Sequence, residues 1–155
     1  MSQLRTRRRL LAEAAAGIVV ATGGQATANE ASEAGVKSAI DAFFTAARRH
    51  DWDATGRMMA ENFRIWVDGD ESMDRDEYLV VEKEDDLEVI DMKLDDLEVG
   101  VSKDGSMAWA RYRATVDGIT KEKRSSVRTA ETILFDRLND QWMMRHIHVS
   151  LVRKA

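Results

Sequence analysis

The chain has 155 residues, with 44% hydrophobic and 33% charged side chains, which is typical of a soluble protein with one substantial core. It contains no cysteine, which excludes disulfides, thiol nucleophiles and cysteine-ligated metal sites. The net charge is −5, and residues 1–28 contribute +3 through four arginines and one glutamate, so the remaining 127 residues carry −8. An acidic domain of this kind is not expected to bind nucleic acid or an anionic membrane.

Residues 1–28 have the pattern of an export signal. Four arginines lie between Arg5 and Arg9, an apolar stretch runs from Leu10 to Ala21, and Ala26-Thr27-Ala28 is a small-x-small cleavage pattern. An apolar stretch of about 12 residues is too short to cross a bilayer as a helix.

The segment Thr6–Ala12 resembles the twin-arginine signal, which directs proteins that fold before they cross a bacterial membrane. The alternative is a basic amphipathic N-terminal helix, which Glu13 favours. The export interpretation predicts a periplasmic or extracellular protein without stable membrane association after processing. It also divides the chain into the signal (1–28), a polar lead-in (29–35) and one domain (36–155).

A strong helical stripe follows the lead-in. Apolar side chains recur at helical spacing at Val36, Ala39, Ile40, Phe43, Phe44 and Ala47. Ser32 is a plausible N-cap, and the basic residues Arg48 and Arg49 suit the C-terminal end. The stripe predicts a helix that packs one side on a large apolar surface.

Two shorter helices and one strand are predicted next. Asp53 is a candidate cap for a helix through Met59, and alternation from Phe63 to Val67 indicates a strand. Asp74 and Glu77 have capping-box spacing, which predicts a third helix from Arg75 to about Val81.

From Leu87 onward the pattern is that of long strands. The apolar phase changes at Asp95-Asp96, which predicts a bulge or bend, and Lys103–Ser106 is typical of a hairpin turn. The strand Ala108–Val116 places Tyr112 among small alanines on one face. Its other face carries Trp109, Arg111 and Arg113, which suits a homodimer interface because Trp and Arg are enriched at interface centres.

The last strand, from Gln141 to Ser150, carries two of the three histidines. Strict alternation predicts that one face holds Trp142, Met144, His146, His148 and Ser150. This polar row is interpreted as the wall of a pocket. The alternative is that both histidines satisfy buried backbone groups or a dimer partner.

The order of elements predicts an α+β fold, with a curved antiparallel sheet wrapped around a long N-terminal helix and two shorter helices. The order and spacing of several motifs resemble the NTF2-like superfamily, in its SnoaL-like and ketosteroid-isomerase-like branch. The segments that carry the resemblance are Phe43-Phe44, His50–Asp53, Met59–Phe63, Arg75–Leu79, Thr132–Leu134, Asn139–Trp142 and His146-x-His148-x-Ser150. The closing pattern is also similar to the association domain of calmodulin-dependent kinases.

The resemblance implies a cone-shaped barrel that usually dimerises through the outer face of the sheet. Members of the superfamily isomerise, cyclise, hydrolyse or dehydrate small molecules, and others only bind or assemble, so the fold does not determine the function.

The resemblance implies that the row of the last strand faces the cavity. The predicted ligand-pocket residues are Tyr112, Thr132, His146, His148 and Ser150. His148 is the candidate general acid or base, since a neutral imidazole both donates and accepts near pH 7. Tyr112 is a candidate donor to a ligand oxygen, or else a core aromatic.

Asp68 is the second candidate catalytic residue. Ketosteroid isomerases use an aspartate near the end of the first strand as a proton shuttle, but Val67 stands at that point here and Asp68 follows one residue later. A shift of one residue reverses the face of a strand, so the base is either missing or displaced. The alternative is a purely structural role, in which Asp68 begins a turn.

No cofactor or metal is predicted, because His146 and His148 have no evident third ligand. Phosphate-binding loops, serine-hydrolase elbows and zinc-protease motifs are not found in the sequence. The sequence therefore predicts an exported homodimer that binds a small, partly apolar molecule, with acid/base chemistry of the isomerase or lyase type as an extension. A non-catalytic assembly module with a vestigial pocket is the alternative.

Overall fold

The computed structural model describes residues 32–68, 71–85, 87–121 and 123–152. The predicted export signal, residues 1–28, lies outside the described residues. Within the described ranges, no helix is long and apolar enough to cross a membrane.

Helix α1 runs over Glu33–Arg48 and forms for the reasons visible in its sequence. The side chain of Ser32 accepts a hydrogen bond from the Gly35 backbone N–H at 3.3 Å, which confirms the predicted N-cap. Its buried side chains belong to the predicted stripe, with the addition of Ala46: Val36, Ile40, Phe43, Phe44, Ala46 and Ala47. These side chains pack one side of α1 against the sheet.

Two short helices follow, α2 over Trp52–Arg57 and α3 over Arg75–Lys83. The prediction that Asp53 caps α2 is wrong, because the carboxylate of Asp51 accepts the Ala54 N–H at 2.9 Å. The capping box of α3 is confirmed: Asp74 Oδ1 accepts from the Glu77 N–H and Glu77 Oε2 accepts from the Asp74 N–H.

One six-stranded sheet has the order β2-β1-β6-β5-β4-β3. Its strands are β1 Met59–Val67, β2 Glu71–Asp74, β3 Glu88–Val101, β4 Met107–Thr120, β5 Lys123–Leu138 and β6 Gln141–Leu151. All pairs are antiparallel except β1 with β6, which run parallel. The short strand β2 was not predicted.

Positive φ angles occur at Asp and Asn residues in a turn and in a bulge. Asn139 and Asp140 both have positive φ angles, of 49° and 63°, which suits the tight turn between β5 and β6. The bulge predicted at Asp95-Asp96 is confirmed, since the pairing of β3 with β4 shifts between Asp95 and Glu98 and Asp96 has a φ of 58°. Asp and Asn tolerate this region better than other non-glycine residues.

The fold class is confirmed as α+β, with a curved open sheet and a few helices. We call the sheet face that packs on α1 the inner face, and the opposite one the outer face. The inner side chains of β4 are buried, as predicted: Ala108, Ala110, Tyr112, Ala114 and Val116. Trp109, Arg111 and Arg113 are exposed on the outer face, also as predicted.

A bulge in β6 changes the facing of its second half. Phe135 of β5 pairs with Met144 and the preceding Leu134 pairs with His146, so Arg145 is an extra residue without a partner. Trp142 and Met144 are therefore inner, but Ile147 and Val149 become inner after the bulge. The strict alternation predicted for the whole strand is wrong from Arg145 onward.

Candidate functional site

Three hydrogen-bonded polar side chains lie buried on the inner face of β4 and β5. The hydroxyl of Tyr112 donates to Glu131 Oε2 at 2.7 Å, and the hydroxyl of Thr129 donates to Glu131 Oε1 at 2.6 Å. Glu131 is only 5% exposed. Each carboxyl oxygen of a buried acid is thus matched to one hydroxyl, and we call Glu131, Tyr112 and Thr129 the buried triad.

Burial controls the protonation of this triad. Removal from water raises the pKa of Glu131 to about 7, against the opposing effect of the hydrogen bonds from Thr129 and Tyr112. Burial, followed by the adjacent charge of Glu131, raises the pKa of Tyr112 well above its ordinary value. Near neutral pH, Glu131 therefore exists in both protonation states while Tyr112 keeps its proton.

The triad is enclosed by apolar side chains. Across the sheet, Tyr112 pairs with Glu131, Glu131 with Val149, and Val149 with Val67. From α1, the ring of Phe44 meets Tyr112 edge-on, with 6.4 Å between ring centroids. The carboxyl group thus lies between the sheet and the long helix.

Sequence reasoning missed Glu131, although a signal for it was present. The alternation Thr129, Glu131, Ile133, Phe135 places a glutamate in phase with two large apolar residues, and all four are buried. A charged residue in the apolar phase of a long strand is unusual, because a buried carboxyl requires partners. Its partner Tyr112 lies on the face that the sequence predicted.

The prediction that the histidine row faces inward is wrong. His146 and Ser150 are half-buried and His148 is exposed, all on the outer face, because the Arg145 bulge reverses the second half of β6. Thr132 is also exposed there, since it is opposite His148 in the pairing of β5 with β6. Tyr112 alone among the predicted pocket residues lies on the inner face.

Burial lowers the pKa of His146, and electrostatic interaction with His148 and Arg145 lowers it further. Neither histidine belongs to a cluster with acidic groups: the described residues contain no set of three or more His, Cys, Asp or Glu side chains that would hold a metal ion.

Asp68 ends β1 and ties it to β6. Its Oδ1 accepts the Leu151 N–H at 2.8 Å, and its own N–H donates to the Val149 carbonyl at 2.9 Å. The φ angle of Asp68 is 51°, so the chain turns at this residue. These contacts fit the alternative that Asp68 begins a turn.

The outer face presents aromatic and basic side chains in two rows across the strands. One row runs through Trp66, His148, Thr132, Arg111 and Glu98, and the next runs through Arg64, His146, Leu134, Trp109 and Gly100. Trp66 is 45% exposed and Trp109 is 39% exposed. The guanidinium carbon of Arg111 lies 5.7 Å from the centre of the Trp109 ring, and its Nη2 lies 2.6 Å from Glu98 Oε2.

A curved sheet that encloses a long helix, with a polar group at the centre of its inner face, defines a cone-like α+β domain. The sequence model of the SnoaL-like domain matches residues 36–154. The chain therefore belongs to the SnoaL-like family of NTF2-like proteins. No curated protein sequence is significantly similar to it.

Several solved structures have the same fold as this chain, although their sequence identity to it is low. A putative calcium/calmodulin-dependent kinase II association domain from Exiguobacterium sibiricum has a TM-score of 0.69 and 10% identity, with coverage of 85% of this chain and 100% of that one. A ketosteroid isomerase-like protein from Erwinia carotovora has a TM-score of 0.64 and 16% identity, over 79% and 97% of the two chains. An NTF2-like protein with a cystatin-like fold from Novosphingobium aromaticivorans has a TM-score of 0.63 and 17% identity, over 77% and 81%.

Proposed function

We propose that this protein binds a small, partly apolar molecule at the inner face of its sheet, with Glu131 as the central polar contact. The observation that carries the proposal is the burial of an ionisable carboxyl group, that of Glu131, which accepts hydrogen bonds from the hydroxyls of Tyr112 and Thr129. Such burial costs free energy of folding, so packing alone does not account for it. Side chains with displaced pKa values are concentrated at functional sites.

The chemistry of the triad suits a ligand with a carbonyl or hydroxyl oxygen. Since its pKa is about 7, Glu131 is able to donate a hydrogen bond to a ligand oxygen as the neutral acid and to accept a proton as the carboxylate. Tyr112 keeps its proton and donates a hydrogen bond to Glu131 Oε2, which holds the carboxyl group in place. Acid/base chemistry of the isomerase or lyase type would then use Glu131, in place of the His148 and Asp68 pair suggested by the sequence.

Ligand entry requires movement, because Glu131 and Tyr112 are almost fully covered. Phe44 contacts Tyr112 from α1, so a ligand that reaches the triad has to displace this ring. Binding is therefore expected to be slower than diffusion and to change the packing of α1 against the sheet.

The test uses a hydrophobic phenol, naphthol, whose hydroxyl presents an oxygen to the triad. We expect naphthol to raise the melting temperature of the wild-type protein, and to lose this effect in Glu131→Gln. The matched control is Glu98→Gln, which removes an exposed carboxylate on the outer face and should leave the shift unchanged. An unaltered shift in Glu131→Gln would contradict the proposal.

Self-association through the outer face is a second proposed function, and the exposed Trp66 and Trp109 favour it. A pair of sheets packed face to face would bury both indoles, together with Arg111 and Arg113. One of the solved structures with the same fold is a putative kinase association domain, which agrees with an assembly role without requiring a catalytic one.

We also propose that residues 1–28 direct export of the folded protein. N-terminal sequencing of the protein recovered from a bacterial periplasm would test this proposal. We expect the mature chain to begin at Asn29, and a chain that retains Met1 in the cytoplasm would contradict it.

A further inference from the structure

A cavity of about 520 Å³ lies between the side of α1 and the β5–β6 hairpin. Its sheet side is mainly apolar, with Trp142 and Met143 over the buried Phe135 and Met144, and Met58 lies beside them. Small residues of α1 leave the space open: Gly35, Ser38, Ala39 and Ala42. Its volume is in the range of small-molecule sites.

This cavity is separate from the buried triad. Neither Glu131 nor Tyr112 lines it, and Phe135 is four residues along β5 from Glu131. At about 3.3 Å per residue, this spacing corresponds to roughly 13 Å along the strand. A molecule in the cavity therefore does not contact the carboxyl group of the proposed binding site.

Two charged side chains line the cavity, and they differ in their partners. Asp140 is paired with Arg137, whose Nη2 lies 3.1 Å from Asp140 Oδ1. Arg57, at the C-terminal end of α2, has no salt bridge or side-chain hydrogen bond to another described residue. Its guanidinium is therefore the uncompensated charge at the rim of an apolar cavity.

Arg57 also borders a second cavity of about 610 Å³, whose lining is about half polar. The other charged residues of that lining are Glu61, Arg75 and Asp136, and Asp136 lies 3.4 Å from Arg145. Neither acidic residue lines the apolar cavity. Since Asp140 of the apolar cavity is paired with Arg137, whereas Glu61 lies on the side of the second cavity, an anion is favoured on the apolar side of Arg57.

We propose that the apolar cavity binds a hydrophobic monocarboxylate. The carboxylate contacts the Arg57 guanidinium, whose planar donors match it in pairs. The hydrocarbon body packs on Met58, Trp142 and Met143, which removes apolar surface of both molecules from water. The small residues on this side of α1 limit the width of the hydrocarbon group that the cavity accepts.

The test compares three probes with the same hydrocarbon chain: decanoate, decanol and decylammonium. We expect decanoate to bind about fivefold more tightly than decanol, since an ion pair with an exposed arginine contributes up to about 1 kcal/mol. Decylammonium should bind more weakly than either, because its charge repels Arg57. Isothermal titration calorimetry on the full chain measures all three affinities.

Two variants locate the site. Arg57→Gln should reduce the affinity for decanoate to that for decanol, while Lys37→Gln, an exposed cation of α1 outside the cavity lining, should not. Ala42→Leu should abolish binding of both probes, because it fills the cavity from an exposed helical position where leucine is well tolerated.

Several outcomes would overturn the proposal. Equal affinities for decanoate and decanol in the wild type would mean that charge is not recognised. Decanoate binding that survives Arg57→Gln and Ala42→Leu but fails in Glu131→Gln would assign the ligand to the buried triad instead. A change in oligomeric state in Ala42→Leu, without any effect on decanoate, would mean that a second copy of the chain covers the cavity.

Discussion

Glu131 holds its proton at a pH at which an exposed glutamate has released it. Its position on the inner face places it among apolar side chains, and within the described part of the chain only the hydroxyls of Tyr112 and Thr129 offset the loss of water. The same environment that makes the residue a candidate acid or base also links it to the stability of the fold.

The free energy of unfolding is expected to fall as the pH rises through the interval set by Glu131. The folded protein binds this proton up to about pH 7, whereas the unfolded chain releases it near 4.5, so the contribution is complete below 4.5 and is lost by about pH 7. The difference between the folded and unfolded pKa values of Glu131 corresponds to about 3 kcal/mol of unfolding free energy. Urea unfolding at pH 5 and pH 8 measures this loss of stability.

The variant Glu131→Gln isolates this contribution, because the glutamine amide does not titrate. We expect the variant to lose much less stability between pH 5 and pH 8 than the wild type. Glu98→Gln serves as the control, since this exposed residue lies on the outer face. Parallel pH profiles of the wild type and Glu131→Gln would show that Glu131 ionises normally.

At the scale of an element, a single extra residue decides which side chains of β6 face the core. Arg145 has no partner in β5, and the bulge turns Ile147 and Val149 inward while His146 and His148 turn outward. Pattern reasoning fails at such a point because a bulge is a property of two paired strands, and a single strand's sequence shows only its own alternation. By alternation, Ile147, Val149 and Leu151 share one apolar face of the strand. The two histidines on the opposite face nevertheless led to the prediction that the opposite face is the inner one.

Asp68 secures the end of β6, and its substitution should therefore destabilise the sheet locally. Asp68→Ala removes the acceptor of the Leu151 N–H and places alanine at a φ of 51°, with an expected cost of about 1–3 kcal/mol in urea unfolding. Asp68→Asn keeps an acceptor oxygen and tolerates this backbone, so it should cost clearly less. Equal losses would indicate that the negative charge, and not the hydrogen bond, is required.

At the scale of the whole molecule, the outer face leaves two indoles and a row of basic side chains in contact with solvent. Trp109 lies over Gly100, where a Cβ atom would come within 2.5 Å of the indole ring. Arg111 lies against this indole, and Arg111 and Arg113 pair with the acidic residues Glu98 and Asp96 of β3. The arrangement holds Trp109 flat against the sheet, so that a second sheet is able to pack on it.

We expect the wild-type protein to sediment as a dimer and Trp109→Ala and Arg111→Glu to sediment as monomers at the same concentration. Gly100→Ala should have a similar effect, because the new methyl group displaces the indole. Lys103→Ala, in the turn between β3 and β4, is the control and should remain dimeric. Analytical ultracentrifugation makes the comparison, and a dimeric Trp109→Ala would exclude this interface.

The sequence by itself determined the helices, the caps of α1 and α3 and the inner phase of β4, because helical and strand periodicity are local properties that the apolar residues carry directly. It also led to the fold class, through the order and spacing of its elements. Only the tertiary structure decided which face the histidines occupy, since the register of β6 depends on its pairing with β5. The same holds for Glu131, whose proton affinity arises from the burial and the two hydroxyls that neighbouring positions of the folded sheet provide.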